Sequence, residues 1–423
     1  MVYQKYEVGP YNLHIIKTDK FKTVTINVNF RRLVVKEEIT IRNFLSEILT
    51  QSSLKYPSNR LLKIKAQELY GLNLSSNCFR TGNYNFLSFS LTMLNEKYVK
   101  GSLLTKSLDF LTEILFNPHI INKQFDEKSF KIIKHILEAS IKSLKDNKDQ
   151  YARLRMLEAM DDNSPIAYNM RGYLADLDKI TPSNLCSYYQ SVIKSDLVDI
   201  FVLGDVDIDE IKTHVKHYFK SINTIKRNPG PVVIQHQKIN RYLRTKVETE
   251  AINQSNLSIG CQLNNVTKFE SKYVMPLYND ILGGSGTSLL FNSVREKESL
   301  AYYIGSRYNE ADNLLTISSG INSDNFKKAV KLIKVEMDNL KKGDFTDEAL
   351  NNTKMRRLSA LKYANDFPSS IIDRYFYINL LDDDNIEEQK KQFSLVTKDD
   401  IKRLSKKIKM AQVFLLEGRK NDE

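Results

Sequence analysis

The sequence predicts an α+β protein made of two homologous domains, each a mostly antiparallel sheet flanked by helices. Two observations lead to this prediction. In each half of the 423 residues, segments with the alternation of a strand come first, helical segments follow, and an apolar strand comes last. Similar segments also recur in the two halves at an offset of roughly 210 to 235 residues, which indicates duplication of one domain.

The first half contains both strand and helix patterns. Polar and apolar residues alternate in the strand segments, whereas apolar residues recur every three or four positions in the helical segments. The predicted strands are 11–16, 23–30, 73–79, 84–92 and 197–203. The predicted helices are 40–53, 60–70, 102–117, 123–145, 151–160, a short helix that begins at the Thr-Pro pair 181–182, and 207–219.

A linker separates this half from its repeat. Pro229-Gly230-Pro231 cannot continue a helix or a strand, so we place the linker at 226–238. The two domains are then 1–225 and 239–423. The matching segments are 256–262 with 23–30, 345–350 with 125–130, 396–401 with 180–185, and 413–416 with 200–203.

The composition is typical of a soluble globular protein. Hydrophobic residues make up 41% of the chain and charged residues 27%. No apolar run approaches the roughly 20 residues of a membrane span, and the first residues lack the features of a signal peptide. Cys78, Cys186 and Cys261 are widely spaced and form no CxxC pair, as in a reducing compartment. We therefore expect a cytoplasmic protein without a membrane span.

The net charge of +12 does not indicate a nucleic-acid partner. Nucleic-acid binding needs basic residues that are concentrated on one face, but here acidic residues lie between them. The segment 127–149 shows this interleaving of Lys131, Lys134, Lys142 and Lys145 with Glu127, Glu138, Asp146 and Asp149. We therefore expect a solvated, lysine-rich surface and no nucleic acid.

The predicted helix 40–53 resembles the metal-binding helix of a known family. Asn43-Phe44-Leu45-Ser46-Glu47 stands where the insulinase and mitochondrial-processing-peptidase family of inverted zincins has H-F-L-E-H. Ser52-Ser53 stands where that family has Gly-Thr. The resemblance extends over both halves and is greatest to the YmfF-type members of Gram-positive bacteria. It implies two α/β layer domains in a clam-shell, as in LuxS-like and metallopeptidase folds.

The resemblance also shows which side chains of the metal motif have changed. In the family, two histidines at i and i+4 share one helix face and bind zinc, and a glutamate at i+3 deprotonates the zinc-bound water. Asn43 and Glu47 stand at the two ligand positions and Ser46 at the general-base position. An amide oxygen is a poor zinc ligand, and a hydroxyl cannot replace the carboxylate base. With only one suitable side chain at the three positions, the helix cannot form the catalytic zinc site of the family.

The third ligand of the family lies on a later helix. Matching the apolar spacing places Ser140 at that ligand position, with Glu138 two residues before it. Two residues turn a helical side chain by about 200°, so Glu138 faces elsewhere. We expect it to pair with Lys134 or Lys142, one turn away on either side. The resemblance therefore implies no zinc and no catalytic residue in this chain.

The second half contains a glycine cluster at Gly283, Gly284 and Gly286. The cluster lacks the lysine of a phosphate-binding loop and the third glycine of a dinucleotide fingerprint, which argues against nucleotide binding. One interpretation is a turn between two helices, with Thr287 or Ser288 capping a helix over 289–297. The resemblance implies another, because the non-catalytic processing-peptidase subunit has a glycine-rich loop at the corresponding place.

The segment after this cluster resembles the R-E-K-x-x-L-A-Y signature of the family. By that resemblance, Arg295 and Tyr302 contact the substrate backbone. Their chemistry fits such a role, because a guanidinium and a phenol both donate hydrogen bonds to carbonyl oxygens. The alternative is structural: Arg295 pairs with Glu296 or Glu298, and Tyr302 packs in its strand.

The resemblance implies that this chain is the non-catalytic subunit of a heterodimeric zinc metallopeptidase. The partner would be a homologous subunit that keeps H-x-x-E-H and the zinc, and the chain would not be an enzyme by itself. This chain would contribute Arg295, Tyr302 and a sheet edge to which a peptide adds as a strand. Two alternatives remain open: a self-sufficient metallopeptidase whose metal is bound by Glu47 and Glu138, and a homodimeric peptide-binding or scaffolding module.

Overall fold

The structure, a computed structural model, describes residues 1–222, 230–235 and 242–419. These residues divide into two units. The first unit contains Met1–Lys142 and the described part of 169–231, and the second contains Ser143–Tyr168 and the described residues from Val232 onward. The segment 143–168 is therefore grouped with the second unit, although it lies inside the first predicted domain. Much of the predicted linker 226–238 lies outside the described residues.

The elements up to residue 222 include all the predicted strands and helices, and they add unpredicted ones at 2–8, 120–121, 124–125 and 174–177. Residues 124–125 fall in the predicted helix 123–145 but form a strand. The strands are β1 Val2–Val8, β2 Tyr11–Lys17, β3 Thr23–Leu33, β4 Asn73–Thr81, β5 Tyr84–Leu94, β6 Ile120–Ile121, β7 Gln124–Phe125 and β8 Leu197–Gly204. The helices are α1 Ile39–Leu49, α2 Asn59–Glu68, α3 Leu103–Phe116, α4 Glu127–Lys142, α5 Lys148–Asp161, α6 Leu174–Leu177, α7 Pro182–Ser195 and α8 Ile208–Tyr218.

The first unit is built around a six-stranded sheet with the order β1-β2-β8-β3-β5-β4. β2 and β8 are parallel, and the other neighbouring strands are antiparallel. Alternate residues of the central strand β3, such as Val28 and Phe30, point into one hydrophobic core with α1 and α3. The period-two pattern of 23–30 therefore predicts the buried face of this strand.

The elements after residue 242 form the second unit together with α5. The strands are β9 Arg244–Glu250, β10 Ser255–Leu263, β11 Ala301–Asn309, β12 Leu314–Ile321 and β13 Ile408–Gly418. The helices are α9 Met275–Leu282, α10 Phe326–Lys342, α11 Asp347–Tyr363, α12 Pro368–Leu381, α13 Ile386–Leu395 and α14 Lys398–Ser405. Two π-helical segments, Glu270–Val274 and Phe291–Lys297, flank α9.

The second sheet has the order β11-β12-β10-β13-β9. β9 and β13 are parallel, and the remaining neighbours are antiparallel. This order repeats β4-β5-β3-β8-β2 of the first sheet, with the same parallel pair at the same place. The predicted α+β fold with mostly antiparallel sheets is thus confirmed, and β4 of the first unit corresponds to β11 of the second.

Helix α5 packs on the second sheet, against β10 and β13. Its buried residues Met156 and Met160 lie in a separate hydrophobic cluster with residues of that sheet. A Cβ atom at Gly260 of β10 would lie 2.7 Å from the Met156 sulfur, so a larger residue there would displace the methionine side chains. Arg155 adds a bidentate ion pair to Glu248 of β9, with Nη2 to Oε1 at 2.6 Å and Nε to Oε2 at 3.2 Å. Packing and charge therefore both hold α5 in this unit.

The remaining features to describe are membrane spans and the cysteines. No helix in the described part of the chain is long and apolar enough to cross a membrane. The three cysteines are all free thiols. Burial raises the pKa of Cys261 to about 12, as expected for an unreactive thiol in a core.

Candidate functional site

Helix α1 is amphipathic and presents its apolar side to the core of the first unit. Phe44, Leu45 and Ile48 are buried there, as their spacing predicts. The Phe44 ring stacks on Phe130 of α4, with 4.7 Å between the ring centroids. The helix with the altered metal motif therefore packs on the helix that contains the predicted third ligand position, Ser140.

The polar groups at the altered metal positions of α1 are directed toward the protein itself. The side-chain nitrogen of Asn43 donates to the carbonyl oxygens of Ile39, at 2.9 Å, and Met170, at 2.8 Å. Ser46 is 1% exposed, and its hydroxyl has no hydrogen-bond partner among the described atoms. Glu47 is half-buried, and burial raises the pKa of its carboxyl group. Asn43 and Ser46 are therefore bonded to or enclosed by the protein, and neither carries a carboxylate that could act as a general base.

The two candidate positions on α4 do not complete a metal site. The backbone carbonyl of Ser140 accepts a hydrogen bond from the guanidinium of Arg171, at 3.2 Å. The carboxylate of Glu138 forms an ion pair with Lys142, and this pairing lowers the pKa of Glu138. Glu138 thus pairs with a lysine one turn away, as the sequence predicts, rather than with a metal shared with Glu47.

These residues do not fit a catalytic zinc. Such a site needs three protein ligands around one open position. Of Asn43, Ser46, Glu47 and Ser140, only Glu47 has a suitable side chain, and nowhere in the described ranges do three His, Cys, Asp or Glu residues lie close enough to bind one metal ion. We therefore derive no chemistry through a metal on this chain.

A tight turn at 169–173 occupies the region between these positions on α1 and α4. The turn contacts both helices, because the Met170 carbonyl accepts from Asn43 and the Arg171 guanidinium donates to the Ser140 carbonyl. The Tyr173 amide also donates to the Thr40 hydroxyl, at 3.0 Å. Gly172 has a φ of +101°, and a Cβ atom there would lie 2.9 Å from that hydroxyl. The turn therefore depends on glycine, and it uses the polar groups of the altered site as structural contacts.

Sequence reasoning missed a buried charge next to Asn43. Arg42 is completely buried and donates to Asp196, at 2.6 Å, and to the Phe30 carbonyl, at 2.8 Å. Burial is the largest influence on Arg42 and opposes its charged form, but Asp196, Tyr188 and Cys78 together raise the pKa above its usual value. Arg32 also binds Asp196, at 2.6 Å, and extends the network to Glu38, at 2.9 Å. No motif indicates this cluster, because Asp196 lies more than 150 positions from both arginines.

The glycine cluster of the second unit forms a tight loop after α9. A Cβ atom at Gly283 would lie 2.8 Å from the Ser306 backbone nitrogen, and one at Gly284 would lie 2.6 Å from the Asn279 side-chain nitrogen. A Cβ atom at Gly286 would meet nothing within 4 Å. The first two glycines are thus required by close packing, whereas the third is not. The structure places the loop between two helical segments, in agreement with the predicted turn.

The segment that contains Arg295 is π-helical, whereas the sequence predicts an α-helix over 289–297. The structure has a π-helix at Phe291–Lys297, and the Glu298 amide donates to the Ser293 carbonyl five residues earlier, at 3.2 Å. Such turns are rare and occur frequently at functional sites. The wider turn leaves three consecutive side chains, 295–297, exposed to solvent.

Arg295 itself forms only weak contacts within the second unit. Its guanidinium lies 4.9 Å from the centroid of the Phe291 ring, and its Nε atom lies 3.7 Å from the Glu296 carboxylate. Glu298, the other predicted partner, instead pairs with Lys328, at 2.8 Å. The side chain is 44% exposed, so most of its hydrogen-bond donors remain available.

Tyr302 lies at the beginning of β11, the edge strand of the second sheet. The register with β12 shifts between Ala301 and Tyr303, so a bulge turns Tyr302 out of the regular alternation. Tyr302 is 61% exposed, and its phenol donates only a long hydrogen bond, 3.4 Å, to Asn322. The structural alternative, in which Tyr302 packs in its strand, is therefore wrong.

The candidate residues of the second unit are connected through β11. The Leu300 amide donates to the Val294 carbonyl, at 2.9 Å, which fixes the π-helical turn of Arg295 at the beginning of the strand. Further along the strand, the Ser306 amide donates to the carbonyl of Gly283, at 3.0 Å. Arg295, Tyr302 and the glycine loop thus lie at successive points along one sheet edge.

Sequence comparisons identify the family to which the chain is similar. A sequence profile described as "Peptidase M16 inactive domain" matches residues 179–357. The probable inactive metalloprotease YmfF of Bacillus subtilis (strain 168) is 31% identical over 414 residues, which is 97% of this chain and 96% of that protein. Family membership, inferred above from the altered and retained motifs, is confirmed.

Solved structures also match over the full length. A conserved protein from Enterococcus faecalis V583 has a TM-score of 0.93 and 28% identity, and the match covers 100% of both chains. A peptidase M16 inactive domain from Pseudomonas fluorescens has a TM-score of 0.81 and covers 99% of both chains. At 14% identity, the second match shows only that the fold is shared.

Proposed function

The chain belongs to the M16 metallopeptidase family as an inactive member, and from that premise we propose that it is the non-catalytic subunit of a heterodimeric zinc metallopeptidase. In this proposal, a homologous partner with an H-x-x-E-H helix supplies the zinc and the general base. This chain binds the peptide substrate through Arg295 and Tyr302, next to the open edge of β11. Both subunits are cytoplasmic.

The observation that supports this proposal most strongly is the different state of the two sites. Asn43 of α1 is bonded to backbone carbonyls and Ser46 is buried, whereas Arg295 and Tyr302 stay exposed with weak partners. An arginine without a strong ion pair keeps its fixed donors for peptide carbonyls. An edge strand likewise offers unpaired backbone groups to an extended peptide. These features favour substrate contact without catalysis.

The alternative of a self-sufficient metallopeptidase finds no support in the geometry. It needs Glu47 and Glu138 to share one metal ion, but Glu138 pairs with Lys142 on the exposed side of α4. A homodimeric peptide-binding module uses the same β11 edge and differs only in its partner. An experiment that distinguishes the two proposals must therefore identify the partner.

The test is co-expression of this chain with an H-x-x-E-H homologue, followed by peptide-cleavage assays of the purified pair. We expect the pair to cleave and either chain alone to be inactive. Arg295→Ala should lower kcat/KM by about tenfold to a hundredfold, because hydrogen bonds from a charged donor contribute about 1.5–3 kcal/mol.

Lys297→Ala is the matched control, since Lys297 is an exposed cation of the same π-helical turn. Its activity should stay within about twofold of the unmodified pair. Equal losses in both variants would indicate a general charge effect and would contradict a specific role for Arg295. Failure of the two chains to associate, together with homodimers of this chain that bind peptide, would favour the homodimeric module.

A further inference from the structure

We infer that the glycine-rich loop is a stop that limits how much of the β11 edge a bound peptide can pair with. The inference rests on the proposed function, because it assumes that an extended peptide pairs with this edge. It adds a length limit: main-chain pairing is confined to the short stretch between the bulge at Tyr302 and the loop contact at Ser306. The substrate segment recognised here is then a very short extended one.

The contact that closes the edge is a hydrogen bond between backbones. The Ser306 amide donates to the Gly283 carbonyl, at 3.0 Å. The Ser306 hydroxyl strengthens this attachment by donating to the Asn279 side-chain oxygen, at 2.9 Å, at the end of α9. The loop therefore occupies the hydrogen-bonding position that the next strand of the sheet would use at Ser306.

The alternating direction of the backbone groups along β11 shows which of them remain available to a bound peptide. Along an edge strand, successive residues point their backbone groups alternately toward the neighbour and away from it. Because the Ser306 amide points away from β12, the backbone groups of Ile304 also point away, and those of Gly305 point toward Ser318 of β12. No backbone hydrogen bond to the Ile304 amide from outside the sheet is found in the described ranges. Ile304 is thus the free pairing position between the bulge and the loop.

The close approach of the loop requires a glycine at one position. The Cβ atom of an alanine at 283 would lie 2.8 Å from both the backbone nitrogen and the hydroxyl of Ser306. Backbone atoms cannot move aside as a flexible side chain can, so the loop must shift and lose its hydrogen bond to β11. Gly286 of the same loop has open space around its Cβ position, and its replacement by alanine should leave the contact intact.

The first test measures amide hydrogen exchange at residue resolution in the full chain without peptide. We expect the Ser306 amide to exchange at least about tenfold more slowly than the Ile304 amide, after correction for intrinsic rates. Gly283→Ala should remove this difference, and Gly286→Ala should keep it. Equal exchange of the two amides in the unmodified chain would overturn the inference, whether or not the protein binds peptides.

The second test measures the affinity of fluorescent, end-capped peptides of alternating valine and threonine, from about three to nine residues in length. In the unmodified chain and in Gly286→Ala, affinity should stop rising beyond the shortest lengths. In Gly283→Ala it should rise about tenfold further as a second residue pairs at Ser306. A steady rise of affinity with peptide length in the unmodified chain would contradict the inference that the loop limits pairing. Absence of binding at every length would instead count against the proposed function, while the exchange result still decides the loop contact.

Discussion

The connections from β3 to β4 and from β10 to β11 occupy the same place in the two sheets. Their polar side chains differ, because those of the first face the protein and those of the second face solvent. In the first unit, Asn43 and Ser46 on α1 face carbonyl groups or the protein interior. In the second unit, Arg295 and Tyr302 face solvent. The two corresponding connections of the repeated fold therefore differ in how far their polar side chains are engaged by the protein itself.

The difference has a physical basis in how each connection is anchored. The helix α1 is fixed by its apolar side and by the buried Arg42–Asp196 pair. The second connection buries Leu290 and Val294 in the core and is attached to β11 by backbone hydrogen bonds, whereas Arg295 and Tyr302 are exposed. Substitutions of the polar residues should therefore lower stability in the first connection and alter binding in the second.

The largest effect is expected for Asp196→Ala. Both Arg42 and Asp196 are completely buried, and the change leaves Arg42 without its carboxylate. Removing one partner of a buried pair typically costs about 3–5 kcal/mol in the free energy of unfolding. Chemical denaturation of the full chain measures this loss. Glu138→Ala breaks the exposed pair with Lys142 and serves as the control, and we expect it to leave the free energy of unfolding nearly unchanged. Similar losses in both variants would contradict the contrast between the buried and the exposed pair.

A smaller loss is expected for Gly172→Ala in the turn at 169–173. The change combines an unfavourable positive φ with a Cβ contact of 2.9 Å to Thr40, and such strain costs on the order of 1–3 kcal/mol. Faster amide exchange at Tyr173 would show that the turn has left α1. Gly101→Ala is the control, because its φ of +96° is also positive but the nearest atom lies 3.7 Å away. If Gly101→Ala has the same effect, the contact with Thr40 is not responsible.

Glu47→Gln should increase stability slightly, by less than the Gly172 change lowers it. Burial raises the pKa of Glu47 in the folded chain, so its ionisation opposes folding. The gain should be absent below the unfolded-state pKa of about 4.3, appear as the pH rises through the folded pKa, and persist at neutral pH. Denaturation at pH 3 and pH 7 measures it. A loss of stability that depends on added zinc would instead show that Glu47 binds metal.

The smallest effect on stability is expected for Arg295→Ala. The side chain is half-exposed and forms only a 3.7 Å ion pair, so the free energy of unfolding should change by less than about 0.5 kcal/mol. Thermal denaturation of the variant, run beside the cleavage assay of the pair, checks this. A large loss would mean that Arg295 stabilises the second unit, and its effect on activity could not then be assigned to substrate contact.

The parts of this molecule that sequence could predict are those with a local physical cause. Apolar residues at helical spacing predict the buried face of α1, and the lysine one turn from Glu138 predicts its ion pair. The Arg42–Asp196 pair could not be predicted, because nothing near Arg42 distinguishes it from an exposed arginine. The π-helical turn of Arg295 was missed for a related reason: its hydrogen-bond register depends on the loop and strand that hold its ends.

The path of the backbone determines where this protein can be divided. Because α5 belongs to the second unit, a fragment that begins after the middle of the chain would lack the helix that covers Gly260. The complementary fragment would contain Met156 and Met160 on a helix that has no sheet to cover. Separately produced halves should therefore aggregate, and useful cleavage or insertion points should be sought in exposed turns within a unit rather than at its apparent midpoint.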